Sequence, residues 1–245
     1  MTDLVASIRE KYLFTLDQIA SAARKSRRDL NQIRLVVVTK SQPLEVVQAA
    51  IEAGVRILGE NYPEEGVTKI QSLTSQTGVE WHMIGHVQSR KARLVANYFA
   101  LLHSLDSLKL AKRLDRFAAD SNRKLPVLLE FNVGGEETKT GWDASNESTW
   151  DALLPELSNL LRLPNLQICG LMAMPPLGDT AEDSRRFFRQ LRLLREFLEI
   201  QLPDGDWREL SMGTSADFPV AVEEGATLVR VGTAIMGERR SHLGE

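Results

Sequence analysis

Short apolar runs alternate with amphipathic segments along most of the chain. The runs are rich in β-branched and aliphatic residues and predict eight strands, at residues 33–39, 55–61, 80–86, 99–105, 126–133, 166–174, 208–213 and 227–233. Most of them are continuously apolar, which is typical of strands that are buried on both faces of a parallel sheet.

Segments with helical periodicity lie between these runs. They predict helices at residues 44–53, 63–73, 87–98, 107–119, 147–161, 180–201 and 216–224, and a further amphipathic helix at 3–27 precedes the first strand. The clearest helix begins at Thr180, which we expect to be its N-cap, with Asp183 three residues later. Its predicted buried face consists of Phe187, Leu191, Leu194 and Leu198.

Repeated strand–helix units predict an α/β fold in which helices cover a parallel sheet, and eight units favour a (β/α)8 TIM barrel. No linker rich in Gly, Ser or Pro separates the units, so we expect a single domain over 1–245, with an N-terminal helix at 1–31 and the barrel at 32–238. A ligand site is then expected at the carboxyl ends of the strands, where the βα loops meet.

Composition limits the classes of function. Charged residues make up 26% of the chain with a net charge of −3, and acids and bases are interspersed, so we expect no nucleic-acid partner. The single cysteine, Cys169, excludes an internal disulfide framework and is typical of a reducing compartment. No apolar stretch approaches 18 residues and the N-terminus is not signal-like, so we expect a cytoplasmic protein without membrane contact.

Residues at the predicted strand ends are the candidates for a site: Lys40, Asn61, His86, Asn132, the segment "MAMPP" (172–176), the segment 211–215, Gly232 and Thr233. Two of these segments, "SMGTSADFP" and "RVGTAIMG", combine glycine with hydroxyl residues after the seventh and eighth strands, where barrels frequently bind phosphate. Ordinary glycine turns are the alternative interpretation of both segments.

Three roles remain open for Lys40 on the residues alone. It could form a salt bridge, attract a phosphate, or form a Schiff base once burial lowers the pKa of its amine. Arg230 precedes Gly232 by two residues on one strand and should face the same side. An amine, an anion site and a partner for a ring nitrogen are the groups that pyridoxal phosphate requires.

Two further features suggest weaker hypotheses. His82 and His86 have the spacing of zinc ligands on a helix, but their segment is predicted to be a strand and a glycine turn, so we expect no metal. The basic segment that contains Arg90 and Lys91 is typical of a solvated helix face, although it could attract an acidic partner.

Six motifs, in order over nearly the whole chain, resemble those of the pyridoxal phosphate homeostasis proteins, single-domain relatives of the N-terminal barrel of alanine racemase (fold type III). They are "VTKSQP", "GENY", "WHMIGHVQSRK", "NVGGEETKTGW", "GLMAMPP" and "LSMGTSADFPVAVEEGATLVRVGTAIMGER". The chain departs from the family pattern at Arg90, where asparagine is usual, and at Thr214, where methionine is usual.

The resemblance implies the roles of individual residues. Lys40 would hold pyridoxal 5'-phosphate covalently as a Schiff base, Arg230 would meet the pyridine nitrogen, and Asn61 would line the ring. The residues that would receive the phosphate are Ser211, Ser215, Gly232 and Thr233. A lysine at the position of Lys139 also belongs to the pattern, and we hypothesise that it helps to transfer or hold a second cofactor molecule.

The function implied by the resemblance is non-catalytic: the protein would buffer or deliver pyridoxal phosphate and so maintain vitamin B6 and amino-acid homeostasis. An arginine opposite the ring nitrogen opposes its protonation and weakens the ring as an electron sink. Recipient enzymes and a regulatory protein are the partners left open. The alternative is an enzyme, either an amino-acid racemase or a Schiff-base aldolase acting on a phosphorylated sugar. An aldolase normally brings several acids near the amine, and Glu60 is the only acid at a nearby predicted strand end, which argues against it.

The racemase alternative also depends on a second domain. In racemases of similar barrels, a β domain of the partner subunit supplies a catalytic tyrosine. The chain ends about a dozen residues after Gly232. We therefore expect this domain to be absent and the protein to be a monomer.

Overall fold

Eight parallel strands close into a barrel, as the alternation of strands and helices predicts. The computed structural model describes residues 2–176 and 178–237. Its strands are β1 (Arg34–Val38), β2 (Ile57–Glu60), β3 (Glu80–Met83), β4 (Leu101–Leu105), β5 (Leu125–Asn132), β6 (Trp142–Asp143), β7 (Leu166–Met172), β8 (Glu209–Ser211) and β9 (Leu228–Val231). The two-residue strand β6 pairs with β5 outside the ring, and the other eight form the barrel.

The ring closes because the first and last strands of the chain pair with each other. Strand β1 pairs with β2 on one side and with β9 on the other, and β4 pairs with β5. Each of these pairs is parallel. All carboxyl ends of the barrel strands therefore lie at one end of the barrel.

Helices cover the outside of the sheet. They are α1 (Thr2–Lys25), α2 (Leu44–Glu52), α3 (Pro63–Ser72), α4 (Ala92–Tyr98), α5 (Leu108–Asp120), α6 (Leu154–Leu161), α7 (Arg185–Gln201), α8 (Phe218–Glu223) and α9 (Thr233–Met236). Helix α1 precedes the barrel and packs against α2, α8 and α9. The predicted domain limits remain a prediction, and Met1 and the predicted barrel end at 238 lie outside the described residues.

Three predicted helices begin as 3-10 helices. The one predicted at 87–98 begins as the 3-10 helix Ser89–Lys91, and α4 starts at Ala92. The segment 147–153 is a 3-10 helix, and the α-helix α6 begins only at Leu154, with Pro155 in its first turn. Proline is well tolerated at this position because the N–H that it lacks has no partner in a first helical turn. The segment from Thr180 likewise begins as a 3-10 helix, Ala181–Ser184, where the Asp183 carboxylate accepts the Thr180 N–H at 2.8 Å.

The predicted buried face of α7 is shifted at one position. Phe188, Leu191, Leu194 and Leu198 are fully buried. Phe187 is only partly buried, and the Arg186 guanidinium lies 4.5 Å from the centre of its ring. Either of the adjacent aromatic residues fits a helical period, so the sequence pattern did not distinguish them.

Apolar side chains form two cores, one between sheet and helices and one inside the barrel. The inner core contains Val36, Leu101, Leu128, Cys169, Met172 and Leu228. Polar side chains share the barrel interior with it, since His82, His103 and Ser211 are at most 1% exposed. No helix within the described ranges is long and apolar enough to cross a membrane.

We predict that Gly170→Ala opens the contact between β7 and β8. A Cβ at this position would lie 2.0 Å from the Glu209 carbonyl oxygen, and the backbone φ is +149°. We expect a loss of about 3 kcal/mol in the free energy of unfolding, measured by urea denaturation.

Gly54→Ala is the matched control for this substitution. Gly54 also has a positive φ, +111°, but no atom lies within 4 Å of the added Cβ. This variant should lose about 1 kcal/mol, from backbone strain alone. Equal losses in the two variants would contradict the steric explanation.

Candidate functional site

Loops at the carboxyl ends of the barrel strands enclose a cavity of about 680 Å³, a size typical of small-molecule sites. The cavity is lined by six of the seven predicted cofactor ligands, which are Lys40, Asn61, Ser215, Arg230, Gly232 and Thr233. Their roles as ligands remain predictions. All six residues can contribute to one site only if they line the same cavity, and they do.

Lys40 lies directly after β1 and is partly buried at the cavity. Both neighbouring residues are held from outside the barrel. The Thr39 carbonyl accepts a hydrogen bond from Lys69 Nζ at 2.7 Å, and the Ser41 N–H donates to Glu65 Oε1 at 2.6 Å. The backbone that carries Lys40 is therefore anchored on both sides.

A buried ion-pair network supplies these anchors. Lys69 Nζ donates to Glu60 Oε1 at 2.8 Å and to Glu65 Oε1 at 2.6 Å. The Thr39 hydroxyl donates to the same Glu60 oxygen at 2.6 Å. Glu60 is 0% exposed and Lys69 is 5% exposed. Removal of the Lys69 charge would leave the Glu60 carboxylate buried without its cation.

Burial raises the pKa of the Glu60 carboxyl, and the nearby Lys69 ammonium opposes this rise. The sequence identified Glu60 only as an acid near the site and did not identify Lys69. The available signal was the spacing of Glu65 and Lys69, which are four residues apart on a predicted helix.

Arg230 extends from β9 into the barrel just below the cavity and is 5% exposed. Its Nη1 donates to Ser211 Oγ at 2.5 Å and its Nη2 donates to the Ala173 carbonyl at 3.0 Å. Burial lowers the pKa of the guanidinium to about 10, against the opposing effects of Asp217 and Glu130. Arg230 therefore still carries its charge at neutral pH.

The prediction that Ser211 receives a phosphate is not supported by its position. Ser211 is the last residue of β8, is 0% exposed and is not part of the cavity lining. Its hydroxyl instead contacts Arg230 and His103 inside the barrel. The Ser211 side chain points into the barrel, whereas the loop that follows it reaches the cavity.

Two loops form the predicted anion site. Ser215 Oγ, in the loop after β8, accepts the Gly232 N–H at 3.2 Å and the Ala234 N–H at 3.5 Å from the loop after β9. Gly213 has φ +90°, and a Cβ there would lie 2.5 Å from Ala221 Cβ. Only glycine therefore fits at position 213.

Asp217 and Thr214 close the first of these loops. Asp217 Oδ1 accepts the Thr214 N–H at 2.7 Å and the Thr214 hydroxyl at 3.1 Å. The departure from the family pattern at Thr214 thus adds a hydrogen bond within the loop. The other departure, Arg90, lies on an exposed segment where its Nε donates to Gln88 Oε1 at 3.0 Å.

The cavity also contains residues that the sequence did not single out, including Val38, Ile84, Glu136 and Asp217, and it contains Met174 of the candidate segment "MAMPP". Lys139 lines it as well, 3.6 Å from Glu136 Oε1. Two other candidates at strand ends face elsewhere. His86 Nδ1 lies 2.9 Å from Asp106 Oδ2, and the Asn132 amide donates to the Glu136 carbonyl at 2.8 Å.

The spacing of His82 and His86 does not produce a metal site in the described part of the chain. His82 Nδ1 lies 3.0 Å from His103 Nε2 inside the barrel, whereas His86 is exposed. Within residues 2–176 and 178–237, no group of three His, Cys, Asp or Glu side chains could hold a metal ion.

A larger cavity, of about 910 Å³, lies at the opposite end of the barrel. Its lining is dominated by arginine and glutamate side chains, several of which form ion pairs with each other, such as Arg34 with Glu209 and Arg192 with Glu224. We assign the functional site to the barrel mouth because buried and convergent polar groups occur there.

Comparison with known proteins gives consistent results. Residues 14–240 match the family model for the N-terminal domain of alanine racemase. A pyridoxal phosphate homeostasis protein from Vibrio alginolyticus is 38% identical, over 96% of this chain and 99% of its own length.

Solved structures show the same fold. The structure of PipY from Synechococcus elongatus with pyridoxal phosphate bound has a TM-score of 0.77 and 37% identity, over 91% of this chain and 99% of PipY. An alanine racemase from Clostridium difficile has a TM-score of 0.67 at 17% identity, over 96% of this chain and 58% of the racemase, and shows the fold alone.

We predict that Lys69→Met destabilises the fold in a pH-dependent way. The substitution leaves Glu60 buried without its cation, which should cost about 3–5 kcal/mol at pH 8. It also removes the interaction that opposes the raised pKa of Glu60. A raised native pKa stabilises the fold at low pH and loses this effect as pH rises through it, so the deficit should shrink towards pH 5.

The double variant Glu60→Gln/Lys69→Met is the control. It has no buried charge at either position, so it should recover much of the lost stability and show no comparable pH dependence. Urea denaturation at pH 5 and pH 8 measures both effects. A deficit of Lys69→Met that is the same at both pH values would contradict the role assigned to Glu60.

Proposed function

The chain belongs to the family of pyridoxal phosphate homeostasis proteins, and we propose that it binds pyridoxal 5'-phosphate at the barrel mouth, covalently through Lys40. The convergence of Lys40, Arg230 and two glycine-containing loops on one cavity carries this proposal. The PipY structure with pyridoxal phosphate bound supports the same ligand.

The cavity suits this ligand in three respects. Lys40 provides a primary amine for an aldehyde, and Arg230 provides a cation that can meet the ring nitrogen. Ser215, Gly232 and Thr233 provide hydroxyl and backbone groups for the phosphate, at the start of α9. Asn61 contributes to the wall beside the ring.

Pyridoxal phosphate supplies an aldehyde that reacts reversibly with amines and, when its ring nitrogen is protonated, an electron sink. Arg230 keeps a positive charge at neutral pH because its pKa is lowered only to about 10. This charge opposes protonation of a ring nitrogen placed beside it. We therefore propose that the protein holds the cofactor, and buffers or delivers it for vitamin B6 and amino-acid homeostasis, without turnover.

Catalysis is the second candidate, as an amino-acid racemase or another Schiff-base enzyme, and the match to the racemase domain model favours it. Racemisation needs a base on each face of the substrate. The carboxylates in the lining are Glu136 and Asp217, and Asp217 already accepts two hydrogen bonds from Thr214. Alanine racemisation by the loaded protein, well above that by free pyridoxal phosphate, would overturn the non-catalytic proposal.

We propose that enzymes dependent on pyridoxal phosphate receive the cofactor, and we keep the prediction of a monomeric, cytoplasmic protein. Size-exclusion chromatography with light scattering tests the monomer. Mixing the loaded protein with an apo recipient enzyme, with and without a trap for free cofactor, tests direct delivery.

We predict that Lys40→Ala abolishes the visible absorbance of the Schiff base but leaves measurable non-covalent affinity. The amine disappears, whereas the anion site formed by the loops at Ser215 and Gly232 remains. Absorbance spectra and equilibrium dialysis with pyridoxal phosphate measure the two effects. Borohydride reduction of the unmodified protein should yield one modified peptide, which contains Lys40.

Lys139→Ala is the matched control, because this lysine lines the same cavity. It should retain the absorbance and the modified peptide. A protein that stays colourless with pyridoxal phosphate would end the proposal. Attachment at Lys139 instead of Lys40 would refute the assignment of the covalent site.

A further inference from the structure

A continuous chain of polar side chains crosses the barrel interior. Ser211 Oγ, which contacts Arg230, lies 2.8 Å from His103 Nδ1. His103 Nε2 lies 3.0 Å from His82 Nδ1, and His82 Nε2 lies 3.3 Å from Glu80 Oε2. Arg230 lies at the cavity, whereas Glu80 begins β3 at the other end of the barrel with 56% of its side chain exposed.

The chemistry of these groups fixes the direction of every hydrogen bond in the chain. Burial lowers the pKa of both histidines, so each ring is neutral and has one donor and one acceptor nitrogen. Glu80 has a lowered pKa because His82 donates to it, and as a carboxylate it can only accept. His82 therefore carries its proton on Nε2 and accepts at Nδ1.

The donor and acceptor roles of His103 and Ser211 follow from those of His82. Since His82 Nδ1 accepts, His103 Nε2 must donate, and His103 Nδ1 is then an acceptor. The Ser211 hydroxyl consequently donates its proton to His103 and offers lone pairs to Arg230. Each group donates to the next one, from the guanidinium to the carboxylate.

Arg230 needs such support because its environment is unfavourable for a charge. Its hydrogen bonds go to a hydroxyl and a carbonyl, neither of which is charged. Hydrogen bonds that are aligned in one direction polarise each other, so a Ser211 hydroxyl that donates to His103 is a stronger acceptor for Arg230. The chain ends on the negative charge of Glu80, which completes this polarisation.

We propose that Ser211, His103 and His82 are positioning residues that hold Arg230 as a cation facing the cofactor ring and connect it to Glu80 at the opposite barrel end. The effect on the cofactor rests on the proposed function, whereas the direction of the chain does not. None of these three side chains lines the cavity, so they act on a ligand through Arg230.

Nitrogen-15 NMR of the histidine-labelled protein, without added cofactor, tests the direction. Both His82 and His103 should be neutral Nε2–H tautomers at pH 7, with resonances assigned through the His82→Phe and His103→Phe variants. A protonated Nδ1 in His103 would overturn the proposal. This measurement is independent of whether pyridoxal phosphate binds.

Equilibrium dialysis with pyridoxal phosphate tests the positioning role in folded variants. Ser211→Ala and His103→Phe should each weaken binding about tenfold, the effect typical of losing a hydrogen bond that supports a charge. His103→Asn should bind within about threefold of the unmodified protein, since its Oδ1 can replace Nδ1 as acceptor for the Ser211 hydroxyl. Equal losses in His103→Asn and His103→Phe would contradict the proposal.

Ser104→Ala is the matched control. Ser104 is 1% exposed on β4, next to His103, but its hydroxyl donates to the Gly85 carbonyl at 2.6 Å. Binding by this variant should not change. If Ser104→Ala weakens binding as much as Ser211→Ala, the effect reflects general disturbance of the core and the positioning role is wrong. If the unmodified protein fails to bind, the proposed function is wrong, while the NMR result still decides the direction.

Discussion

Closure of the parallel sheet by pairing of its first strand, β1, with its last, β9, is the constraint on which the site depends. An open sheet would spread its strand ends along one edge, whereas closure brings the ends of β1 and β9 together with those of the other strands around one cavity. It also encloses an interior that water does not reach. Polar side chains inside must then find partners among themselves, which accounts for the chain from Arg230 to Glu80.

The two basic residues at the cavity, Lys40 and Arg230, are supported from opposite faces of the sheet. Glu60, Lys69 and Glu65 hold the backbone around Lys40 from the layer between sheet and helices. Ser211 holds the Arg230 side chain from within the barrel. The first network fixes a main chain and leaves the lysine side chain at the cavity, while the second fixes the charged group itself. This difference suits an attachment point on one side and a fixed electrostatic partner on the other.

The sequence predicts most of the fold and only part of the site. All eight barrel strands follow from apolar runs, because strands buried on both faces need continuous hydrophobicity. Lys40, Asn61 and Gly232 follow from their positions at strand ends. The position of Ser211 inside the barrel could not be predicted, because strand and loop residues are adjacent in the sequence and differ only in direction. The partnership of Ser211 with His103 could not be found, since it joins residues 108 positions apart.

On the function that we propose, a cavity with a lysine attachment point and a fixed Arg230 cation is better suited to holding one ligand than to a reaction cycle. An electron sink requires a protonated ring nitrogen, and Arg230 is a donor that cannot supply a negative charge to stabilise this proton. To accept a proton from the ring, Arg230 would first have to lose its own, against the charges of Asp217 and Glu130 that favour the guanidinium. The buried hydrogen bonds behind Arg230 also favour the charged guanidinium. Reversing any one of these hydrogen bonds requires His82 and His103 to change tautomer together. The buried hydrogen bonds thus favour a single electrostatic configuration of Arg230, which is the configuration that the proposed holding role requires.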